Sequence, residues 1–298
     1  MWPCKNEGED AALYRAVEAC SDFACKLGIN IPTGKDSLSM TQKYGDDKVY
    51  SPGTVIISAA GEVSDIRKVV SPVLQNKKST LYYIDFSSDS LKLGGSALAQ
   101  VLNRLGAEAP TVVDTEKFAA AFNAVQKLVR NRVLLAAHDV SAGGLITALL
   151  EMTFGNVNGG ISVSTDGFAE MGESDLVKIL FAENPALVVQ VADSKTERFE
   201  SILNDAAVKY CVVGKPQKER AIIVNHEGTE HLFGIDYLRD VWFRSSYLLD
   251  AVQSGEKCAA MRFENYKKQP IRYRFPAGFK GNAALYGIEG FKHNPSGI

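Results

Sequence analysis

The octet His138-Asp139-Val140-Ser141-Ala142-Gly143-Gly144-Leu145 holds the densest set of groups able to handle a charged phosphate. It follows an apolar run that reads as a strand and opens one that reads as a helix. A carboxylate at a strand end, Asp139, can ligate Mg²⁺. The Ser141 hydroxyl and the Gly143 and Gly144 amides can meet phosphate oxygens at the helix start, where unpaired N–H groups and the helix dipole favour an anion. The plainer alternative makes Asp139 or Ser141 a simple helix cap. His138 reads as a histidine bonded to backbone rather than as a ligand.

Three further segments offer polar groups. Gly94-Gly95-Ser96 opens a predicted helix. Its glycines would let backbone approach a phosphate, but taken alone it reads first as a Gly-rich turn with Ser96 as the cap. Gly34-Lys35-Asp36-Ser37 resembles the end of a P-loop only superficially: Ile29 stands where the earlier glycine belongs, and Pro32 precedes it closely. Lys35 can still neutralise a phosphate as a point charge, and a polar turn is the alternative. In Phe181-Ala182-Glu183-Asn184-Pro185, Glu183 is either a ligand-facing carboxylate or a solvated turn residue. Neither a GxSxG elbow nor an HExxH pair occurs.

These loops need elements to hold them. Leu13, Val17, Cys20, Ala24 and Leu27 recur at helical spacing and predict a helix over 9–27, with Gly28 as its left-handed cap. A short apolar piece, Ile29 to Pro32, follows. Thr54 to Val63 is β-rich and predicts a buried strand, with Ser64 capping a helical turn after it. The pattern breaks between Pro72 and Ser79, which predicts a domain boundary. Beyond it, strands are predicted over 80–85, 133–137, 186–191, 210–213, 221–224 and 231–235. Helices are predicted around Leu98–Leu105, Phe118–Val129, 144–154, 195–207 and 237–254. Gly255 to Ile298 has no sustained period and reads as an extended linker on a surface. The alternation of strands and helices predicts an α/β protein.

The 298 residues suffice for two domains of ordinary size. Hydrophobic residues make up 46% and charged residues 23%, a globular balance, and the formal net charge of -2 gives no overall pull toward nucleic acid or an anionic membrane. The five cysteines form no CxxC pair and no zinc spacing, and they read as reduced thiols of a cytoplasmic protein. No apolar run is long enough to span a membrane, and the polar start does not read as a signal peptide.

Thr33-Gly-Lys-Asp-Ser-Leu-Ser-Met40, Leu93-Gly-Gly-Ser-Ala-Leu-Ala99 and the octet at 138–145 stand in an order that resembles the second half of the synthetase region in large, single-chain phosphoribosylformylglycinamidine synthases. Gly8-Glu-Asp-Ala-Ala-Leu-Tyr14, Leu238-Arg-Asp-Val-Trp242 and Cys258-Ala259 are similar to flanking parts of that region. The family groups with aminoimidazole ribonucleotide and selenophosphate synthetases. The resemblance implies a layered α/β fold in which 1–75 is the last part of an N-terminal synthetase domain. It makes 76–235 a complete C-terminal domain with a mixed sheet, and 236–298 a helix and linker toward a glutaminase domain. It implies a purine-biosynthetic ligase, ATP- and glutamine-dependent, that converts formylglycinamide ribonucleotide to formylglycinamidine ribonucleotide, with ATP or ADP and Mg²⁺ as cofactors. Asp139 matches a family Mg²⁺ ligand and Ser141 a nucleotide contact. Where many relatives have Asp at 142 this chain has Ala142. The upstream metal ligands and the glutaminase nucleophile are not in this sequence, so the chain alone is expected to be inactive and its exposed strand edges to self-associate. A non-catalytic auxiliary nucleotide-binding or structural module is the alternative; neither a nucleic-acid nor a membrane partner is expected.

Overall fold

The computed structural model describes residues 1–63, 65, 68–268 and 277. Met1–Trp242 form one compact unit and Phe243–Ile298 a second.

In the first unit, helix α1 (Glu9–Leu27) ends where Gly28, at φ 67°, returns its N–H to Ala24 and Cys25 carbonyls. An exposed hairpin follows, β1 (Thr41–Tyr44) and β2 (Asp47–Tyr50), which the sequence patterns did not reveal. Residues 54–63 form no strand, contrary to expectation. Ile56 and Ile57 are 70% and 63% exposed, and the run is tied at its start, where the Thr54 N–H donates to the Met1 carbonyl. High β-propensity without a ladder partner leaves the run as coil. Ser64 lies outside the described residues.

The rest of the unit is built on a seven-stranded mixed sheet. Its strands are β3 (Ser79–Asp85), β4 (Leu134–Val140), β5 (Gly160–Ser164), β6 (Ala186–Ala192), β7 (Tyr210–Gln217), β8 (Ala221–His226) and β9 (Thr229–Gly234). Their order is β4-β6-β3-β7-β5-β8-β9, with β5 and β8 parallel and the other pairs antiparallel. The expected α/β fold is present. The unbroken apolar run in β3 follows from cover on both faces. Leu81 and Tyr83 join one core cluster with α4 (Gly144–Phe154), α5 (Asp166–Glu170) and α6 (Leu176–Phe181). Tyr82 and Ile84 join the other, with α3 (Thr115–Arg130) and α7 (Thr196–Asp205). Tyr82 sits 4.4 Å from Phe199 on that side, and Tyr83 sits 5.1 Å from Phe168 on the opposite one. The loop from β8 to β9 places Glu227 and Gly228 at φ 49° and 80°, both positive as a tight hairpin requires.

Two further expected elements differ. The helix expected through Leu105 is the short α2 (Ala97–Val101). Asn103 turns to φ 53°, and the Leu105 and Glu108 carbonyls are drawn back onto the Gly95 and Gly94 amides. The part of the expected linker just after Gly255, residues 256–268, is helical rather than extended. In the second unit α9 (Glu256–Glu264) follows directly, and Arg262 binds Asp250 of the preceding helix through Nε at 2.8 Å. That preceding helix is α8 (Ile235–Ser254). The linker expected over the remainder falls largely outside the described residues. No described helix is long and apolar enough to cross a membrane.

Candidate functional site

The C-terminal end of β4 pairs with the start of β6, which in turn pairs with the end of β3. This edge gathers Asp139, the turn into α4, the loop after Asp85, and the segment Glu183-Asn184-Pro185. Asp139 pairs in register with Leu187 and points its carboxylate outward, 71% exposed. It borders a cavity of about 310 Å³ whose other walls are mostly apolar, among them Phe86, Phe118, Phe122 and Leu187. His138 donates its Nδ1–H to the Asp139 carbonyl at 2.8 Å, and its Nε2 lies 3.3 Å from Glu151. It is therefore held by backbone and a neighbouring carboxylate. Ser141 is exposed.

The turn after Ser141 is closed by its own chain. Gly144 donates its N–H to the Ser141 carbonyl, and Gly143 at φ 88° donates to Glu183 Oε1 at 2.8 Å. A Cβ on Gly144 would stand 2.7 Å from the Leu180 carbonyl oxygen, so glycine is required there for space as well as for its φ of 72°. The Gly94-Gly95-Ser96 turn is similarly occupied. Gly94 and Gly95 donate to the Glu108 and Leu105 carbonyls, and buried Ser96 caps α2 by accepting from Ala99 N–H at 3.2 Å. The amide that follows, Ala97 N–H, reaches Glu183 Oε1 at 2.7 Å. Glu183 thus joins the two glycine turns rather than standing in solvent.

Lys35 is not brought to this rim. It borders a separate cavity of about 490 Å³, between α1 and the 54–57 run, and its Nζ donates to the Asp36 carbonyl and Ser37 Oγ. Sequence patterns also missed the residue beneath the rim. Asn184, wholly buried, donates to Ser87 Oγ and the Ser90 carbonyl and accepts the Lys92 amide. An Asn directly before Pro, between an apolar helix and a strand, was the available signal.

A magnesium ion implied by the family resemblance has one fitting ligand here, the open Asp139 carboxylate. No group of three or more metal-ligating side chains occurs among the described residues. One carboxylate accords with an ion that takes its remaining ligands from phosphate and water.

Two domain families match in series: the FGAR-AT PurM_N-like domain over residues 1–62, and the AIR synthase related protein, C-terminal domain, over residues 86–227. Phosphoribosylformylglycinamidine synthase of Homo sapiens is 35% identical over 267 residues, 87% of this chain. The chain belongs to this synthase family. The probable chloroplastic/mitochondrial phosphoribosylformylglycinamidine synthase of Arabidopsis thaliana is 33% identical over 271 residues, 90% of the chain. The chain spans about a fifth of these synthases, 20% and 19% of their lengths. The structure of PurLQS from Thermotoga maritima shares the fold, with a TM-score of 0.52 at 14% identity, over 74% of this chain and 34% of that one.

Proposed function

We propose that this chain is a phosphate-handling portion of a phosphoribosylformylglycinamidine synthase. The complete activity would be the ATP- and glutamine-dependent conversion of formylglycinamide ribonucleotide to formylglycinamidine ribonucleotide in purine biosynthesis. One observation carries the reading: Asp139, the two glycine turns and Glu183 meet at one rim of the sheet, in a chain 35% identical to a synthase of that name. The working partition is 1–75, 76–235 and 236–298, with a glutaminase and the other synthetase half as partners of this region. A cytoplasmic protein is the corresponding location.

Asp139 would hold Mg²⁺ and Ser141 would donate its hydroxyl to a phosphate oxygen. The ion's contribution when bound would be to neutralise phosphate charge. The chain's own part is to fix the distance between that carboxylate and that hydroxyl. Since the amides of Gly94, Gly95, Gly143 and Gly144 already have acceptors inside the protein, the glycines serve by shaping the turns. Direct phosphate contact would rest on Ser141, with Lys35 contributing only from its own cavity. The exposed apolar face between α1 and the 54–57 run is where self-association would occur.

Calorimetry with Mg-ADP tests this. Saturable binding is expected, weakened about tenfold or more by Asp139→Ala. Binding that ignores the substitution removes Asp139 from the site, and formation of amidine from ammonia by this chain alone would overturn its assignment as a portion lacking independent activity.

A further inference from the structure

The geometry points to Glu183 as a positioning residue: one carboxylate oxygen fixes the spacing between the turn that opens α2 and the turn that opens α4. The assignment rests on the nucleotide reading of the rim only for its consequence in binding; the clamp stands on distances. Ala97 N–H and Gly143 N–H converge on the same Oε1 at 2.7 and 2.8 Å, although the two residues belong to different loops. An ionised oxygen accepting two amides at this range is a charge-assisted contact, stronger than a neutral one. It also supplies negative charge at the start of α4, where the dipole favours it.

The neighbours of Glu183 keep it from moving away. Asn184 ties the 87–92 loop from a wholly buried position, and the Pro185 carbonyl accepts Phe86 N–H at 3.0 Å. On the other side, the Gly144 backbone lies so close to Leu180 and Phe181 that no Cβ would fit. The carboxylate is therefore delivered from a fixed segment onto loops that carry the groups of the rim. Releasing it would let the Ser96 turn and the Ser141 turn drift apart while leaving the sheet below intact.

The experiment is hydrogen exchange and Mg-ADP calorimetry on the full chain, with Glu183→Ala, Glu183→Gln and Ala97→Pro. Proline suits the first position of a helix, and Ser96 already has the extended ψ of 159° that a following proline demands. The new ring displaces the carboxylate without altering Glu183. Both Glu183→Ala and Ala97→Pro should speed exchange at Gly143 by about tenfold or more, with β3 and β6 still protected. Gln retains an oxygen acceptor, so Glu183→Gln should recover most of the protection and most of the Mg-ADP affinity lost in Glu183→Ala. Unchanged exchange at Gly143 in Ala97→Pro, or no recovery by Gln, overturns the clamp. Should the unmodified chain bind no Mg-ADP, the nucleotide reading fails while the exchange data still decide the clamp. Should Glu183→Ala not fold, Ala97→Pro decides it alone.

Discussion

Gln190 and Gln75 hold each other by two hydrogen bonds, the Gln75 N–H to Gln190 Oε1 at 2.9 Å and Gln190 Nε2 to the Gln75 carbonyl at 2.7 Å. Gln190 is fully buried in β6 and also donates to Ser79 Oγ. Its side-chain amide thus satisfies backbone groups of the segment leading into β3. Gln190→Leu should cost roughly 2–4 kcal/mol by chemical denaturation, since two half-buried backbone groups of Gln75 and the buried Ser79 hydroxyl lose their partner together. A cost under about 0.5 kcal/mol would mean that water replaces the amide.

Two glycines of the rim separate strain from space. Gly95 at φ 75° has open space where a Cβ would stand, whereas the corresponding position on Gly144 meets the Leu180 carbonyl oxygen and Phe181. Gly95→Ala should therefore cost only the left-handed penalty of about 1–2 kcal/mol. Gly144→Ala should cost more than that and disturb the Ser141 turn, which thermal unfolding and Mg-ADP affinity would register together.

Burial pushes the Cys211 thiol up from its ordinary 9.0 to about 12, with the carboxylates of Glu170 and Asp85 adding to the shift. In the native protein, thiol reagents at pH 8 should label exposed Cys25 and Cys258 and spare Cys211. The sign of its linkage is set by the unfolded chain, whose thiol gives up its proton from about pH 9 while the folded one keeps it. Its contribution to stability is therefore full below pH 9 and is lost as pH rises toward 12. Cys211→Ala should flatten that alkaline slope in a denaturation series.

The apolar face around α1 should drive association. Val17 and Ile56 are 54% and 70% exposed and border the same 490 Å³ cavity. Sedimentation should show species heavier than the 32.4 kDa monomer at rising concentration, reduced by Val17→Lys. A clean monomer throughout would assign that face no role between copies of this chain.

Much of the sheet was legible because its residues state their surroundings locally. Leu81 to Ile84 and Ala186 to Val189 are continuous apolar runs, the pattern of strands covered on both faces. The helix at 144–154 was signalled by its apolar run and by the paired glycines, Gly143 and Gly144, at its start. What failed was decided by distant partners. Thr54 to Val63 has the propensity of a buried strand but no ladder beside it, and propensity cannot report a missing neighbour. Leu98 to Leu105 has helical spacing, yet the backbone is captured by the Gly94 and Gly95 amides after Val101. At the site, residue types were legible while their bonding was not. Nothing near Glu183 in sequence announces that its two donors are Ala97 and Gly143, since the contact to Ala97 spans 86 residues.

The place of β3 bears on how the chain is made. It is the first strand of the large sheet to leave the ribosome, yet it lies in the sheet's interior between β6 and β7. Ser79 and its hydrogen-bonding neighbour Gln190 are separated by 111 residues. At a synthesis rate on the order of ten residues per second, the nascent strand waits about ten seconds with both edges bare. Whatever shields Leu81, Tyr82 and Tyr83 during that interval governs the yield of folded protein.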